Sequence, residues 1–452
     1  MARPIRIALI GAGSAHFSMT FVRDLCASPR LGDVTLALMD VNPDRLRAVE
    51  TLANRYAGET GAPLRVVATT DRAEVLTGAQ FVVNTALACN YTKMTEGFDV
   101  ARRHGFDFPG SYHILYDEAF FVNFYQFRLF EELAVDMERF CPNAWLLQVA
   151  NPIISGITLL GRRFPRLRAI GICHGYAAFY QIVEKMGFAR SDVADFAMSG
   201  VNHFLWLQRA TVAGQDFLPL LGRWLADHAD EVRDDDFIWR VTSAARSDFF
   251  FRHGVVPVGD TMHWTGAEWP WWYRADAAQR ERYHEKDPAA GWQYLTDWAR
   301  GQAEQFEAWA ADPHVRITEA FPPKASDELM VPLIESLVLD TPRTFVINVM
   351  NRGAFVPGLP EDFQVEAPVR VSGSGLQPQP QPPLPRPILA HILRDRVAPV
   401  EMELAAYAEG RRDFLEELIL MDKYATSQAQ ARAFLEDILA LPWNDAMAAH
   451  YR

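Results

Sequence analysis

Cys173 and His174 stand side by side, and an Asn202-His203 pair follows downstream. A thiolate and an imidazole together suit a borderline divalent cation. Taken singly, a cysteine or a histidine is more often a packing residue, so the pair matters through its surroundings. Near the chain start, Gly11-Ala12-Gly13-Ser14-Ala15-His16 follows an apolar run at 5–10 (IRIALI). Two glycines there permit a tight turn and close approach of backbone to a pyrophosphate at a helix N-terminus. His16 stands where that fingerprint has its third glycine. Asp40 closes a second apolar run at 34–39. Its carboxylate suits two ribose hydroxyls and repels a 2′-phosphate, which favours NAD over NADP. Gly11, Gly13, Ser14 and Asp40 are the candidate cofactor contacts. The competing reading is a glycine turn in another kind of α/β protein, with Asp40 as a cap.

These residues need elements to hold them. Strand-like runs at 5–10, 34–39, 64–69, 81–85, 144–150 and 167–172 alternate with helix-like stretches at 17–27 and 43–56 and between the later strands. Such alternation predicts a Rossmann-like, doubly wound parallel sheet over about residues 1–200. Beyond it, residues 204–212 read as a strand and 234–252 as a helix. An aromatic-rich stretch at 254–273 is irregular, with Trp264, Trp269, Trp271 and Trp272 forming either a sugar-stacking wall or a bulky core. The proline-rich segment at 378–385 reads as an extended connector, and 388–449 as largely helical. The expected organisation is a cofactor domain at 1–200 and a C-terminal α/β (α+β) domain at 201–452 for substrate, metal and oligomer contacts.

The 452-residue chain carries 44 basic and 57 acidic side chains, a net charge of −13, which argues against nucleic acid or an anionic membrane as the main partner. No stretch approaches the roughly 20 apolar residues of a membrane span, and the N-terminus lacks a signal core. The four cysteines (Cys26, Cys89, Cys141, Cys173) form no CxxC, so neither a disulfide framework nor a structural zinc site is indicated. A reduced, cytoplasmic setting is expected.

Around the cysteine and histidine run Val149-Ala150-Asn151-Pro152, Gly171-Ile172-Cys173-His174-Gly175 and Gly200-Val201-Asn202-His203-Phe204. With the glycine turn, His113-Ile114-Leu115-Tyr116-Asp117, the stretch at 348–360 (NVMNRGAFVPGLP) and Val365 to Pro378, ending in Gly375-Leu376-Gln377-Pro378, the chain resembles glycoside hydrolase family 4 almost end to end. That family comprises the NAD- and divalent-metal-dependent glycosidases, an exception to the usual paired-carboxylate mechanism. The resemblance implies Cys173 and His203 as ligands of Mn²⁺ (or Co²⁺ or Ni²⁺), and Asn151 as a substrate contact near the nicotinamide. It also implies a homodimer or homotetramer.

The implied reaction oxidises C3 of the sugar with NAD⁺, removes the acidified C2 proton, and eliminates the C1 aglycone. Water then adds, and the hydride returns. The metal would polarise the C2 and C3 oxygens. Asp260, in Gly259-Asp260-Thr261-Met262-His263, is the first candidate for the base, with His263 and Tyr273 behind it; a loop or helix cap is the plain alternative. His174 is a candidate acid or substrate contact, and Asp117 a pocket residue without a set role. Cys-His-Gly-Tyr after the metal cysteine resembles the α-glucuronidase branch, which acts on non-phosphorylated substrates. A uronate needs a cation, for which Arg352 is the candidate clamp and Lys324 and Arg252 are helpers. The alternatives within the family are a neutral α-glucosidase or α-galactosidase, or an α-galacturonidase. Outside it, an NAD-dependent hydroxy-acid dehydrogenase or a non-catalytic NAD sensor would share the first domain.

Overall fold

The structure is a computed structural model that describes residues 4–116, 118–230, 242–262, 269–283, 285, 288–324 and 326–452. The apolar runs become strands of a parallel sheet, and the central ones, 5–10, 34–39 and 81–84, are buried on both faces. Strands β1 (Ile5–Ile10), β2 (Val34–Met39), β3 (Leu64–Thr69), β4 (Phe81–Asn84), β5 (Trp145–Gln148) and β6 (Arg168–Gly171) are all parallel, in the order β3-β2-β1-β4-β5-β6. The order reverses between β1 and β4, which opens a crevice at the carboxyl ends of those strands.

Helix α1 (Ala15–Cys26) follows β1, and α2 (Pro43–Thr60) follows β2. In α2 the Asn42 side chain accepts from the amides of Asp44 and Arg45, and Pro43 occupies the first turn. The helix outruns the expected end at 56 because it continues until Gly61, in a left-handed conformation, stops it. Helix α3 (Phe120–Phe140) precedes β5, and α4 (Ile153–Arg163) links β5 to β6.

The strands of the C-terminal half extend the first sheet across β6. They are β7 (Val193–Val201), β8 (Phe204–Val212), β9 (Gln215–Asp216), β10 (Val256–Val258), β11 (Arg343–Met350), β12 (Gln364–Ser372) and β13 (Gly375–Pro378). The path continues β6-β11-β12-β7-β8-β10, antiparallel throughout, and among the described residues thirteen strands form one sheet. Pairing with β11 covers the edge that β6 would otherwise expose. Helix α5 (Pro288–Ala311) lies against α1 and α2, and α6 (Ala398–Glu409) belongs to the helical C-terminal stretch. The segment after Pro378 runs without regular structure to Pro385, as a connector should. No helix among the described residues is long and apolar enough to cross a membrane.

Candidate metal and cofactor site

One row of the sheet explains how distant residues meet. Gly171 of β6 pairs with Asn348 of β11, Asn348 with Glu366 of β12, and Glu366 with Gly200 of β7. Two residues beyond Gly171 is Cys173; two beyond Gly200 is Asn202, followed by His203. Strands β6 and β7 are three spacings apart, about 14 Å. The chain leaving each strand must therefore fold inward across the row for the side chains to touch, and it does. A sulfur of Cys173, a ring nitrogen of His203 and a carboxylate oxygen of Asp260 all lie within 4.8 Å of one another.

Local backbone enforces this. Asn202 and His203 form the two-residue turn between Val201 and Phe204, and His203 takes a positive φ of 57°. A non-glycine residue there is uncommon and is held by its surroundings. The Asn202 amide donates to Gln364 Oε1 at 3.2 Å, and the Leu205 amide to Thr261 Oγ1 at 2.8 Å. Asp260 arrives through a glycine contact. Gly259 has φ +58°, and a Cβ on it would fall 2.6 Å from the Gly175 Cα. Only bare backbone allows the Asp260 loop to press so close to the Cys173 loop.

The electrostatics suit a cation. Burial pushes the Cys173 thiol up to about 11, with Glu366 adding to the rise and His203 opposing it. Burial works against a charged His203, but Asp260, Cys173 and Glu118 outweigh it and hold the imidazole's pKa well above the ordinary value. His203 Nε2 lies 3.3 Å from Asp260, and Nδ1 lies 3.3 Å from Glu118. Burial lifts Glu366 to about 8 even though His203 and Asn202 oppose it; Asn202 Nδ2 donates to it at 3.4 Å. Both Glu118 oxygens and Glu366 Oε1 are buried without a hydrogen-bond partner among the described residues. A pocket rich in acceptors, whose thiol and imidazole both favour their protons, fits a dication that replaces those protons. Thiolate, imidazole and carboxylate are a donor set for a Mn²⁺- or Zn²⁺-like ion.

The dinucleotide end is equally specific. Gly11 turns at φ +84°, and a Cβ on it would strike the Ala86 backbone nitrogen at 2.4 Å. Asp40 binds the turn itself: Oδ2 accepts from the Gly13 amide at 2.7 Å and Oδ1 from the Asn42 amide at 2.8 Å. Asp40 thus braces the turn, while each oxygen keeps a second lone pair for a ribose hydroxyl. Ser14 occupies the N-cap position of α1 without a side-chain cap bond. His16, in the third-glycine position, bonds Gln302 on α5 at 3.2 Å and packs against Trp298 and Phe306. From β1 to β6 is again about 14 Å along the crevice, a span an extended dinucleotide covers. Asn151, just past β5, sits between the two ends.

Other expected residues fall elsewhere. Asp117, His263 and Trp264 lie outside the described residues, as does 234–241 of the expected helix. His174 projects outward, 46% exposed, with Nδ1 3.5 Å from Glu328. Tyr273 is buried, its hydroxyl donates to Asp248 at 2.6 Å, and burial pushes it far above the usual tyrosine range. Arg352 is not at the site. Its guanidinium rests on the Gly161 carbonyl, near the C-terminal end of α4, whereas Asn151 is at the opposite end of that helix. Arg252 is exposed and bound to Asp248 at 2.7 Å, and Lys324 is exposed. Trp269 is core, packed on Phe204 and Trp206, while Trp271 is partly exposed. All four cysteines are free thiols.

Sequence reasoning missed Glu118 and Glu366. Glu118 follows the quoted His113–Asp117 motif directly and could have been flagged by that adjacency. Glu366 carries no local signal; only the strand register reveals it.

A dinucleotide crevice and a soft cation cluster on one sheet define a class that couples metal to hydride chemistry. The chain belongs to family 4 of the glycosyl hydrolases: the Family 4 glycosyl hydrolase model matches residues 6–189, and the model of its C-terminal domain matches 198–425. An α-glucosidase of Erwinia rhapontici is 25% identical, covering 97% of this chain and 98% of its own length. An α-galacturonidase of Lachnoclostridium phytofermentans is 23% identical, covering 86% of each. A 6-phospho-α-glucosidase from gut microorganisms, solved with NAD and Mn²⁺, shares the fold at TM-score 0.80 and 16% identity, over 98% of this chain and 99% of that one. At the level of class, the chain is a glycosidase.

Proposed function

We propose that the chain hydrolyses non-phosphorylated α-glycosides, α-glucuronides foremost, using NAD and a Mn²⁺-like cation. The observation that carries this is the meeting of Cys173, His203 and Asp260 within 4.8 Å, beside Asn151 and across the crevice from the glycine turn. The relative of known structure that was solved with NAD and Mn²⁺ supports the cofactor assignment. The Cys173-His174-Gly175-Tyr176 wording supports the substrate.

When bound, the dinucleotide supplies reversible hydride removal and the cation polarises sugar oxygens. The residues divide the remaining work. Cys173 and His203 hold the cation, and Asn151 orients the sugar at the nicotinamide end. Asp260 takes the C2 proton; one of its oxygens faces His203 Nε2, and a carboxylate has a second. His174, half-exposed beside Glu328, contacts the leaving group or the uronate. Tyr112 and Tyr116, both buried, wall the imidazole and keep water off it.

The test is a panel of p-nitrophenyl α-glucuronide, α-galacturonide, α-glucoside and α-galactoside, run with NAD⁺, Mn²⁺ and a thiol reductant in D₂O. The α-glucuronide should show the largest kcat/KM, with deuterium at C2 of the product, no net NADH, and loss of turnover in EDTA. Equal or faster turnover of the neutral glycosides would move the substrate assignment to them. Absence of deuterium at C2 would overturn the elimination route, and net NADH would make the chain a dehydrogenase.

A further inference from the structure

Glu118 is fully buried, and among the described residues neither of its oxygens accepts a hydrogen bond. An isolated carboxylate in that state costs several kcal/mol, so something must offset it. Its contact is His203 Nδ1 at 3.3 Å, within ion-pair reach, on the ring edge opposite the one that faces Asp260. Ring edges also meet the imidazole: Tyr112 and Tyr116 lie at 6.5 and 6.0 Å between centroids, near perpendicular. Aromatic edges limit tilt but do not decide which nitrogen carries the proton.

Glu118 is itself anchored. Asn123 on α3 donates from Nδ2 to the Glu118 carbonyl and to Glu403 Oε1 on α6, both at 2.8 Å. Burial, with Glu118 adding to it, lifts Glu403 to about 8 against the Asn123 bond. Near neutrality Glu403 is then the protonated neighbour and does not compete for the imidazole.

We propose that Glu118 is a positioning residue that takes the Nδ1–H edge of His203 and so presents the Nε2 lone pair to a cation shared with Cys173. A carboxylate behind a metal-binding histidine fixes its tautomer and raises its basicity, and losing it weakens metal binding by about 10–100-fold. This rests on the cation reading of the site given above.

The experiment uses the full chain, reduced, with Co²⁺ alone as probe, following the thiolate-to-cobalt absorption and the Kd. NAD⁺ affinity and thermal midpoint are measured in parallel. Wild type should bind Co²⁺ saturably with a thiolate band. Glu118→Ala should raise the Co²⁺ Kd about 10–100-fold and leave NAD⁺ affinity within about twofold. Glu118→Gln keeps the volume and one acceptor for Nδ1–H, so it should recover part of the loss. Should Glu118→Ala not fold, Glu118→Gln decides alone: its Kd must lie above that of wild type. A wild-type Kd and spectrum in the folded variants would overturn the positioning role. So would a loss of NAD⁺ affinity in step with Co²⁺, the mark of general structural damage. A wild type that shows no thiolate band would fail the cation reading itself, a result distinct from either.

Discussion

The parallel half and the antiparallel half of the one sheet do different work. From β3 through β6, each strand is a local run of four to six residues followed by its own turn, and the cofactor turn is contiguous in sequence. From β11 to β10, nothing is local: the cation cluster draws on the chain after β6, the β7–β8 turn and the loop after β10, with Glu366 of β12 beneath it. In the proposed function the first half holds its ligand with backbone and the second with side chains. The two should therefore be separable by mutation, the first by altering a turn and the second by removing an atom.

The largest effect belongs to the second half. Cys173→Ala removes the soft ligand but touches no part of the glycine turn. Glycosidase kcat/KM should fall at least ~10³-fold, about 4 kcal/mol of barrier, with the NAD⁺ Kd within twofold of wild type. Parallel loss of NAD⁺ binding, by calorimetry, would show that the halves are not independent.

The contact between the loops comes next. Gly259→Ala places a Cβ 2.6 Å from Gly175 Cα at φ +58°, whereas Gly175→Ala meets Gly259 Cα at 3.4 Å and Cys173 Sγ at 3.5 Å without the unfavourable φ. Roughly 1–3 kcal/mol of destabilisation is expected for the first and under about 1 for the second. Denaturant midpoints check the order. A reversed ranking would mean that the two loops are not in backbone contact.

That pair also shows where sequence reading stops. Gly175 reads as a marker of substrate, yet its visible task is to admit Gly259. Strand positions β1 to β6 are legible because a buried parallel strand writes itself as an apolar run, and Asp40 is legible because it ends one. Cys173 and His203 are legible only through their neighbouring residues. Glu366 is not, since a glutamate on a strand says nothing until Gly171, Asn348 and Gly200 share its row. Arg352 misleads for the complementary reason: its turn packs on the Gly161 carbonyl, 191 residues away in sequence, and nothing in the turn's own wording foretells that contact.

In the first half, Asp40→Ala removes the acceptor for the Gly13 and Asn42 amides and the acceptor proposed for the ribose. NAD⁺ affinity should weaken about 10-fold, the worth of one lost charge-assisted bond, while Co²⁺ affinity holds. An unchanged NAD⁺ Kd would make Asp40 purely a cap of the turn.

The smallest effect tests the buried acids behind the second half. Burial raises the Glu403 carboxyl to about 8, against about 4.3 for an unfolded glutamate. The folded chain therefore binds this proton more tightly than the unfolded one. The associated stability is complete below pH ~4.3 and is lost as pH rises through about 8. Glu403→Gln keeps an acceptor for Asn123 and cannot ionise, so its advantage over wild type should grow from near zero at pH 5 to about 3 °C in thermal midpoint at pH 8.5. Glu366, raised by the same amount, is present in both proteins and cancels in the difference. Midpoints that run parallel across that range would show Glu403 titrating as a solvated carboxylate, and the chain Glu403–Asn123–Glu118 would then be open to water rather than sealed behind the imidazole.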